Sequence, residues 1–425
     1  MAFQHGLAGI NAANNQLGAI GNNIANASTV GYKGSRAEFA DMFAANFYGV
    51  AATQNGIGVS TTAIAQQFKQ GGVTTTGNQL DLAISGNGFF VMQNANGTAY
   101  TRNGQFQINR EGYINNNGDY LMGWGVDENG NVLKGAMSRL KVDTSLLAPR
   151  ASDGGKVWAD ADPVKFGLNL DSRSTVPSKT PFAANDPKTY NSTTSTQIYD
   201  SLGNPLTLST YYVYKGASGT PSVASWDVHA EITDPNGIKT TLTPTPSPAK
   251  LTFDNLGNMD TSAPPLDFGS YSGSLGAASL AIKLDFTGTT QYGTEFAVNS
   301  TTQQGYAPSV MTNLQFAKDG TVTARYSNGQ SKTLGQVALA NFANQQGLQP
   351  IGGNRWIESY TSGNAVINKP GSTNVGLIQS QALEDSNVDM TGELVNMITA
   401  QRYYQANAQT IKVEDALMQT LISLR

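Results

Sequence analysis

Few side chains in this sequence could carry out chemistry, and the most suggestive is a histidine. His229 stands two residues after Asp227, and alternate residues of a β-strand point to the same face of a sheet. Such a pair could act as a general base. The residues around Trp226 are more typical of an ordinary half-exposed strand. Because His5 is the only other histidine, little is left for acid–base or metal chemistry, and we predict no catalytic residues.

Two short segments resemble ligand-binding loops, but each lacks a required residue. Asp127-Glu128-Asn129-Gly130-Asn131 begins like a calcium loop, yet Ser138 occupies the position of the bidentate glutamate. Gly86-Asn87-Gly88 is half of a dinucleotide-binding pattern, without the third glycine or a following helix. Both are predicted to be turns. Because the chain has no cysteine, thiol chemistry and cysteine-ligated metals are excluded. We predict no metal, no cofactor and no enzymatic activity.

Composition argues against two further classes of function. The 425 residues include 26 Lys and Arg against 30 Asp and Glu, a net charge of −4, and the basic residues are scattered. Nucleic acid and anionic membrane surfaces are therefore unfavourable partners. No apolar run approaches the roughly 18 residues of a membrane-spanning helix, so no membrane insertion is predicted. The start of the chain lacks the basic segment of a secretory signal peptide. These features alone would indicate a cytosolic protein.

The first 32 residues carry no Asp, Glu, Lys or Arg, and their apolar positions predict an amphipathic helix. Those positions are Phe3, Leu7, Ile10, Ala13, Leu17, Ile20, Ile24 and Ala27. Four glycines each weaken the helix by about 1 kcal/mol relative to alanine; they are Gly6, Gly9, Gly18 and Gly21. We expect such a helix to need packing partners, and we expect Asn26 and Gly31 to end it.

The C-terminal segment has a matching pattern. Ser386-Asn387-Val388-Asp389 is a helix-capping sequence, and residues 390–425 contain no proline and one early glycine. Apolar side chains follow one stripe, which widens toward the end of the chain. The sequence therefore predicts a long second helix. In the alternative interpretation, the two terminal helices simply cover the core of a domain.

The middle of the chain reads as β-structure with a nested order. Asn-Gly and Asp-Gly pairs such as Asn236-Gly237 and Asp319-Gly320 recur between short β-prone runs, as in tight hairpins. The predicted first β domain comprises residues 71–147 and 306–370, and residues 148–305 form a second β domain inserted in it. Residues 1–70 and 371–425 form the helical part, in which residues 34–70, with Phe39, Met42, Phe43 and Phe47, are predicted to be a linker.

Four stretches together resemble one known family, the bacterial flagellar rod and hook proteins. The matching stretches are Asn22–Lys33, Thr101–Phe106 with Leu121–Trp124, Phe342–Asn344 with Gly347-Leu348 and Ser362-Gly363, and Leu383–Asp389 with Met397–Asn407. Ile198–Pro205 is similar to the inserted domain of the hook members, which the shorter rod members lack. One departure from the pattern is Ala307-Pro308, where a second glycine is expected.

The resemblance implies a fold and a function. The fold would be α+β and multidomain, with long terminal helices forming a coiled-coil-like polymerisation core and two mostly-β outer domains, one inserted in the other. The chain would be the structural subunit of the flagellar hook, a curved flexible tube that acts as a universal joint and transmits motor torque from rod to filament. The weakly charged β surfaces suit neighbours that slide past one another.

The resemblance also implies partners and a location, and it reverses the cytosolic prediction. The partners would be other copies of the chain, the distal rod protein, the hook–filament junction protein, the hook cap scaffold and the flagellar type III export apparatus. The chain would leave the cell unfolded, without a cleaved signal peptide, and function in the extracellular hook of the flagellum. The absence of cysteine suits that route.

Two groups of residues follow as site predictions. The predicted polymerisation interface comprises Phe3, Leu7, Ile10, Leu17, Ile20, Ile24, Leu394, Ile398, Tyr404, Ile411, Leu417, Met418 and Leu421. The family motif residues are Asn23, Asn26, Thr29, Gly31, Tyr32, Ser386, Asn387, Val388, Asp389, Gln401, Arg402, Gln405 and Asn407.

Two alternatives remain open at this point. The first is a distal rod protein, which would share both terminal motifs but form a straight, rigid structure; the insertion of roughly 155 residues argues against it. The second is a secreted β-rich glycan-binding adhesin or enzyme that uses a groove within residues 190–300. It would not account for the uncharged N-terminus or for the paired terminal helices.

Overall fold

The structure is a computed structural model and describes residues 2–42, 56–95, 97–127, 130–156, 160–218, 223–259, 265–273 and 276–423. The predicted linker residues Phe43 and Phe47 lie outside these ranges. For Leu421 the structure describes the backbone but not the side chain. The chain divides into two compact units. Unit 1 comprises Met1–Thr144, Thr312–Arg325 and Ser331–Arg425, and unit 2 comprises Ser145–Met311 and Tyr326–Gln330.

Two long helices lie at the ends of the chain, as the sequence predicts, and they pack against each other. Helix α1 spans Ala2–Ala25 and helix α2 spans Met390–Ser423. Asp389 caps α2, because its Oδ1 accepts a hydrogen bond from the backbone N–H of Thr391 at 3.1 Å. No helix among the described residues is long and apolar enough to cross a membrane.

The remainder is mostly β, which confirms the predicted fold class. The first ten strands are β1 Ser35–Met42, β2 Gly58–Gln66, β3 Val73–Thr75, β4 Leu82–Ser85, β5 Phe89–Asn94, β6 Gly97–Thr101, β7 Gln107–Ile108, β8 Ile114–Asn116, β9 Asp119–Trp124 and β10 Ser138–Arg139. Nine strands follow in unit 2: β11 Val164–Asn169, β12 Ser192–Tyr199, β13 Pro205–Ser218, β14 Val223–Thr233, β15 Lys239–Leu242, β16 Ala249–Phe253, β17 Leu266–Tyr271, β18 Leu280–Asp285 and β19 Ala297–Thr302. The last nine are β20 Met311–Phe316, β21 Thr321–Tyr326, β22 Ser331–Val337, β23 Leu339–Asn341, β24 Gln349–Gly352, β25 Arg355–Ile357, β26 Val366–Asn368, β27 Leu377–Ser380 and β28 Ala382–Glu384.

Unit 1 is built on a branched sheet with the main order β20-β21-β22-β9-β5-β6-β25-β24. Edge-to-face aromatic contacts fill part of its core, with the ring centroids of Phe89 and Trp356 5.7 Å apart and those of Tyr100 and Phe342 4.8 Å apart. Strands β3 and β4 pair with β28 and β27 respectively. Strands β27 and β28 lie just before α2 in the chain, and β3 and β4 follow β2. The segment that leads into α2 therefore lies beside the segment that follows β2.

Unit 2 contains two sheets with the orders β17-β18-β11-β19 and β12-β13-β14-β15, and β16 also pairs with β14. A single apolar core contains residues from both sheets, including Phe166 and Trp226, and also Phe286, which follows β18. The predicted turn at Asn236-Gly237 joins β14 to β15, and Gly237 has a φ of 83°, which an Asn-Gly hairpin requires. Arg150 and Tyr306, near the two ends of the unit, exchange backbone hydrogen bonds of 3.1 and 2.9 Å.

The prediction that residues 34–70 form a linker is wrong for most of the described part of that range. β1 and β2 pair as an antiparallel hairpin from Ser35↔Gln66 to Met42↔Gly58, with a bulge at Glu38/Phe39. The hairpin packs against α1, so it supplies a second surface for the helix. Most of β1 is exposed, and the apolar alternation that identifies strands in a sequence is therefore weak.

Candidate functional site

Helix α1 lies against α2 along a face of small residues. A Cβ atom on Gly6 would stand 2.8 Å from Cγ1 of Ile411, and a Cβ on Gly9 would overlap the side-chain amide of Asn407. Close helix approach therefore depends on these two glycines. A Cβ atom on Gly18 or on Gly21 would meet no atom within 4 Å, so these two glycines make no close contact within the described residues.

The opposite surface of α1 contacts the β1–β2 hairpin. The side-chain amide of Asn15 donates a hydrogen bond to the Thr61 hydroxyl at 3.0 Å. A Cβ on Gly58 would lie 3.0 Å from the Cβ of Ala8. The uncharged, glycine-weakened helix is thus held between α2 and the hairpin, which supplies the packing that its sequence requires.

The predicted interface residues do not form one buried surface in the single chain. Ile20 is buried, while Ile10, Leu17, Ile24 and Ile411 are half-buried along the contacts of α1. The others with described side chains are between 41% and 57% exposed: Phe3, Leu7, Leu394, Ile398, Tyr404, Leu417 and Met418. The single chain therefore uses part of the predicted interface internally and leaves the larger part uncovered.

Among the exposed apolar residues of α2 that sequence reasoning missed are Val395 and Tyr403. Both lie off the single stripe that a helix with one buried face would show. Helix α2 is instead apolar on several sides, and α1 covers only one of them. The sequence signal that could have identified these residues is that apolar residues occur on several sides of α2, not only at the spacing of one stripe.

The family motif residues near the end of α1 fix its exit. The Asn23 side chain donates to the Ser35 carbonyl oxygen and accepts from the Ser35 N–H, both at 2.8 Å, and also accepts from the Tyr32 hydroxyl at 3.3 Å. The Asn26 side-chain amide donates to the carbonyl of Asn22 at 3.0 Å. Thr29 donates from its hydroxyl to the Asn26 side-chain oxygen at 3.2 Å. These bonds end the helix and start the hairpin.

Gly31 is required by both conformation and space. Its φ is 68°, and an added Cβ would stand 2.7 Å from the Asn103 nitrogen. Its N–H donates to the Glu384 carbonyl at 2.8 Å. The predicted helix-terminating role of Gly31 is consistent with this geometry, and the bond to Glu384 ties the exit of α1 to the entry of α2.

Asn387 joins the entry of α2 to the hairpin. Its side-chain oxygen accepts from the Gly34 N–H at 2.8 Å, and its side-chain nitrogen donates to the Gln67 and Lys69 carbonyls at 2.6 and 2.9 Å. The Ser386 hydroxyl accepts from the Val388 N–H at 3.3 Å. The motif residues thus bring both helix termini to one place, although they lie more than 300 positions apart.

The remaining motif residues lie on α2. Asn407 faces Gly9 of α1, and its side-chain amide donates to the Tyr403 carbonyl at 2.9 Å. Gln401, Arg402 and Gln405 are exposed. The motif therefore contains two kinds of residue, those that fix the helix junction and those that face outward from α2.

Glu384 is the hub of the helix junction, and its side chain is fully buried. One carboxylate oxygen accepts from the Lys33 ammonium at 2.7 Å and from the Gly71 N–H at 3.0 Å. The other accepts from the Arg102 guanidinium at 3.0 Å. Four segments of unit 1 therefore meet at one carboxylate: the exit of α1, the end of the hairpin, β6 and the entry of α2. The site prediction did not include this triad.

Burial lowers the pKa of Lys33, and the nearby Glu384 carboxylate opposes the shift. Burial likewise lowers the pKa of Arg102, again against the attraction of Glu384. Two cations share one anion, and the Lys69 and Gly86 carbonyls accept one further hydrogen bond from Lys33 and Arg102, at 2.9 and 2.8 Å respectively. Loss of the carboxylate would leave both buried cations without their counter-charge.

The residues considered for catalysis have structural contacts in unit 2. The His229 ring stacks on Phe182, with ring centroids 4.0 Å apart and planes at 6°. Burial lowers the pKa of His229, and the neighbouring Asp227 opposes the shift. Asp227 pairs with the Lys215 ammonium at 3.3 Å. Among the described residues no group of three His, Asp or Glu side chains is placed to hold a metal ion.

Comparisons with known proteins agree with a chain that has a helix near each end and β structure between them. Four protein-family profiles match successive parts of the chain. They are described as flagella basal body rod protein at residues 3–33, flagellar hook protein FlgE/F/G D1 domain at 83–157, flagellar basal body protein FlaE D2 domain at 169–306, and flagellar basal body rod FlgEFG protein C-terminal at 379–424. These descriptions define the class as flagellar rod and hook proteins.

Individual relatives of the chain are hook proteins. The chain is 38% identical to the flagellar hook protein FlgE of Escherichia coli strain K12 over 432 residues, covering 100% of both chains. It is 37% identical to that of Salmonella typhimurium strain LT2, again over 100% of both. It is 30% identical to that of Treponema pallidum strain Nichols, covering 99% of this chain and 98% of the relative. The chain belongs to the flagellar hook protein family.

A solved structure shares the fold. The crystal structure of Helicobacter pylori flagellar hook protein FlgE2 aligns with 73% of this chain and 100% of its own, with a TM-score of 0.52 and 15% identity. At that identity the likeness is one of fold alone.

Proposed function

We propose that this chain is the repeated structural subunit of the flagellar hook and that α1 and α2 form its polymerisation core. The observation that carries the proposal is the uncovered apolar surface of α2, where Leu394, Ile398 and Leu417 are each about half exposed. Contiguous exposed apolar surface marks interaction sites in soluble proteins. Neighbouring copies in a helical assembly would cover it.

The proposed tube has three layers. Residues 1–70 and 371–425 form the inner one, residues 71–147 and 306–370 the next, and residues 148–305 the outermost. Charged residues are only 13% of the chain, so outer surfaces of neighbouring copies can slide without breaking many ion pairs. The assembled tube is curved and flexible, and it acts as a universal joint that transmits motor torque from rod to filament.

The proposal includes partners and a location. Copies of the chain contact one another, the first copies contact the distal rod protein, and the last contact the hook–filament junction protein. The hook cap scaffold guides assembly, and the flagellar type III export apparatus delivers the unfolded chain to the outside of the cell without cleavage of a signal peptide. The subunit has no enzymatic activity, binds no nucleic acid and does not insert into a membrane.

The test is assembly of the full chain at high concentration, observed by negative-stain electron microscopy. We expect hollow curved tubes from the unaltered chain. Leu417→Asp would place a charge in a packed helical seam, which costs several kcal/mol, and tubes should be lost. Leu417→Met conserves volume and should keep them.

Three results would contradict the proposal. Straight tubes from the unaltered chain would indicate a rod protein, and globular monomers only would favour a β-rich adhesin or enzyme. If Leu417→Asp also lowers the melting temperature of unit 2, Leu417 supports that fold instead of an assembly contact.

A further inference from the structure

Helix α2 carries opposite charges on opposite faces. Glu393 and Arg402 are nine residues apart, which corresponds to about 13.5 Å along the helix and about 180° around it. Glu393 faces α1, because one of its oxygens accepts from the Asn23 side-chain amide at 3.3 Å. Arg402 lies on the face that α1 does not cover. The two side chains of one copy therefore cannot pair with each other.

Arg402 lies within an exposed apolar surface. Val395, Ile398 and Val413 are seven, four and eleven residues away, which places them within about 40° of Arg402 around the helix. All three are more than half exposed. Within the described residues, the Arg402 guanidinium has no hydrogen bond or ion pair. When this face is covered in an assembly, the guanidinium is desolvated and requires an acceptor.

Glu393 lacks a hydrogen-bond donor, whereas Arg402 lacks an acceptor. Its second carboxylate oxygen is buried and has no hydrogen-bond partner within the described residues. The first oxygen makes only the long bond to Asn23 at 3.3 Å, so the carboxylate can accept further hydrogen bonds. A buried carboxylate oxygen without a donor is unfavourable. A cation reaching this place would remove that cost.

A cleft leads to Glu393. It has a volume of about 440 Å3 and lies between α1, β1 and the start of α2. Four of its lining residues carry acceptor oxygens: Gln16, Asp389, Glu393 and Asn396. Two basic residues of the same copy also line it. The Arg36 guanidinium is directed to Glu38 at 3.4 Å and its side chain is 71% exposed, and Lys69 is exposed as well. The cleft suits a guanidinium, which has five donors in a fixed plane.

We infer that the Glu393 cleft of one copy receives the Arg402 side chain of the next copy, an inference that rests on the proposed function as a polymerising subunit. Cleft and arginine are different surfaces, so the contact is heterologous and propagates from copy to copy instead of closing a dimer. Between the two terminal helices the alternatives are few. Residues 1–32 carry no charge, and Lys412 is the only other basic residue in the described part of α2.

The decisive experiment uses two charge reversals in the full chain, Arg402→Glu and Glu393→Arg. Each alone juxtaposes like charges between copies, and we expect the critical concentration for tube formation to rise about a hundredfold or more. An equimolar mixture of the two variants restores opposite charges at every mixed contact, so the mixture should form tubes near the unaltered concentration. Lys412→Glu, the matched control, makes the same charge change on the same helix and should leave assembly unchanged.

A second measurement locates the contact directly. The chain has no cysteine, so a chain with both Arg402→Cys and Glu393→Cys forms disulfides only between these two positions, and peptide mapping separates 402–393 links from links between like positions. Mild oxidation of its tubes should give a ladder of cross-linked copies, whereas dilute monomer should give none.

Several results would overturn the inference. Normal assembly of Arg402→Glu would show that Arg402 has no such partner, and failure of the mixture would show that the pair does not form between copies. Failure of Glu393→Arg alone, with rescue by Arg36→Glu, would place the pair within one chain. Absence of tubes from the unaltered chain would instead contradict the proposed function itself.

Discussion

Gly6 of α1 lies against Ile411 of α2 so closely that a Cβ atom on the glycine would stand 2.8 Å from Cγ1 of the isoleucine. Real Cβ atoms do not tolerate such a distance, so one of the two must shift. The flexible isoleucine can move for one methyl group but not for a larger side chain. The separation of the two terminal helices is therefore set by the absence of a side chain at Gly6.

Substitutions of the glycines in α1 should have different effects on assembly at different positions. Gly6→Val should separate α1 from α2 and prevent tube formation, because a branched side chain overpacks the contact at a cost of about 1–3 kcal/mol. Gly18→Ala meets no atom within 4 Å. It should stabilise α1 by about 1 kcal/mol through helix propensity alone. Circular dichroism at 222 nm and the critical concentration for assembly measure both effects. Equal effects of the two substitutions would contradict the close contact between α1 and α2 at Gly6.

Glu384→Ala should destabilise unit 1 strongly. It leaves the Lys33 and Arg102 cations buried without a counter-charge, and breaking such a pair costs about 3–5 kcal/mol. The matched control is Glu38→Ala, whose ion pair with Arg36 is exposed and should contribute less than about 1 kcal/mol. Urea unfolding monitored by fluorescence gives both values. A small effect of Glu384→Ala would show that the triad does not hold the helix junction.

The stability of unit 2 should fall with acidification because of His229. Burial holds its folded-state pKa below the ordinary value of 6.5, so the unfolded state binds the proton more readily. The stabilisation is complete above pH 6.5 and is lost as the pH falls through the lower, folded-state pKa. His229→Phe keeps an aromatic ring for Phe182 and removes the titration.

The measurement is the melting temperature of the full chain and of His229→Phe between pH 7.5 and pH 5. The difference between the two proteins should change in this interval, where most carboxylates stay ionised. Parallel curves for the two proteins would exclude His229 as the group responsible.

Deletion of residues 151–305 should leave assembly intact. Arg150 and Tyr306 already exchange backbone hydrogen bonds of 3.1 and 2.9 Å, so a short Gly/Ser linker can close the gap without strain. Without the outer contacts nothing selects a curved form, and the tubes should appear straight by electron microscopy. Cells with the shortened subunit should assemble hooks but swim poorly. Curved tubes would show that these residues do not set curvature, and no tubes would show that they are needed for assembly.

Local patterns in the sequence were sufficient for the terminal helices and for the β character of the middle. The uncharged 3/4 spacing before Lys33, the capping Asp389 and turns such as Asn236-Gly237 each act within a few residues. Such short-range signals depend on backbone conformation and helix periodicity, which the chain carries with it wherever it folds. The family motifs likewise marked the residues that fix the helix junction, Asn23 and Asn387, without revealing their partners.

Only the tertiary structure decided which charges and surfaces meet. Lys33 and Glu384 are 351 positions apart, and no periodicity or spacing connects two residues at that distance. The β1–β2 hairpin was missed because its strands have little buried alternation of their own and are held by α1. The same reason applies to the predicted interface. Which apolar residues α1 covers, and which it leaves exposed for other copies, depends on how two distant helices pack.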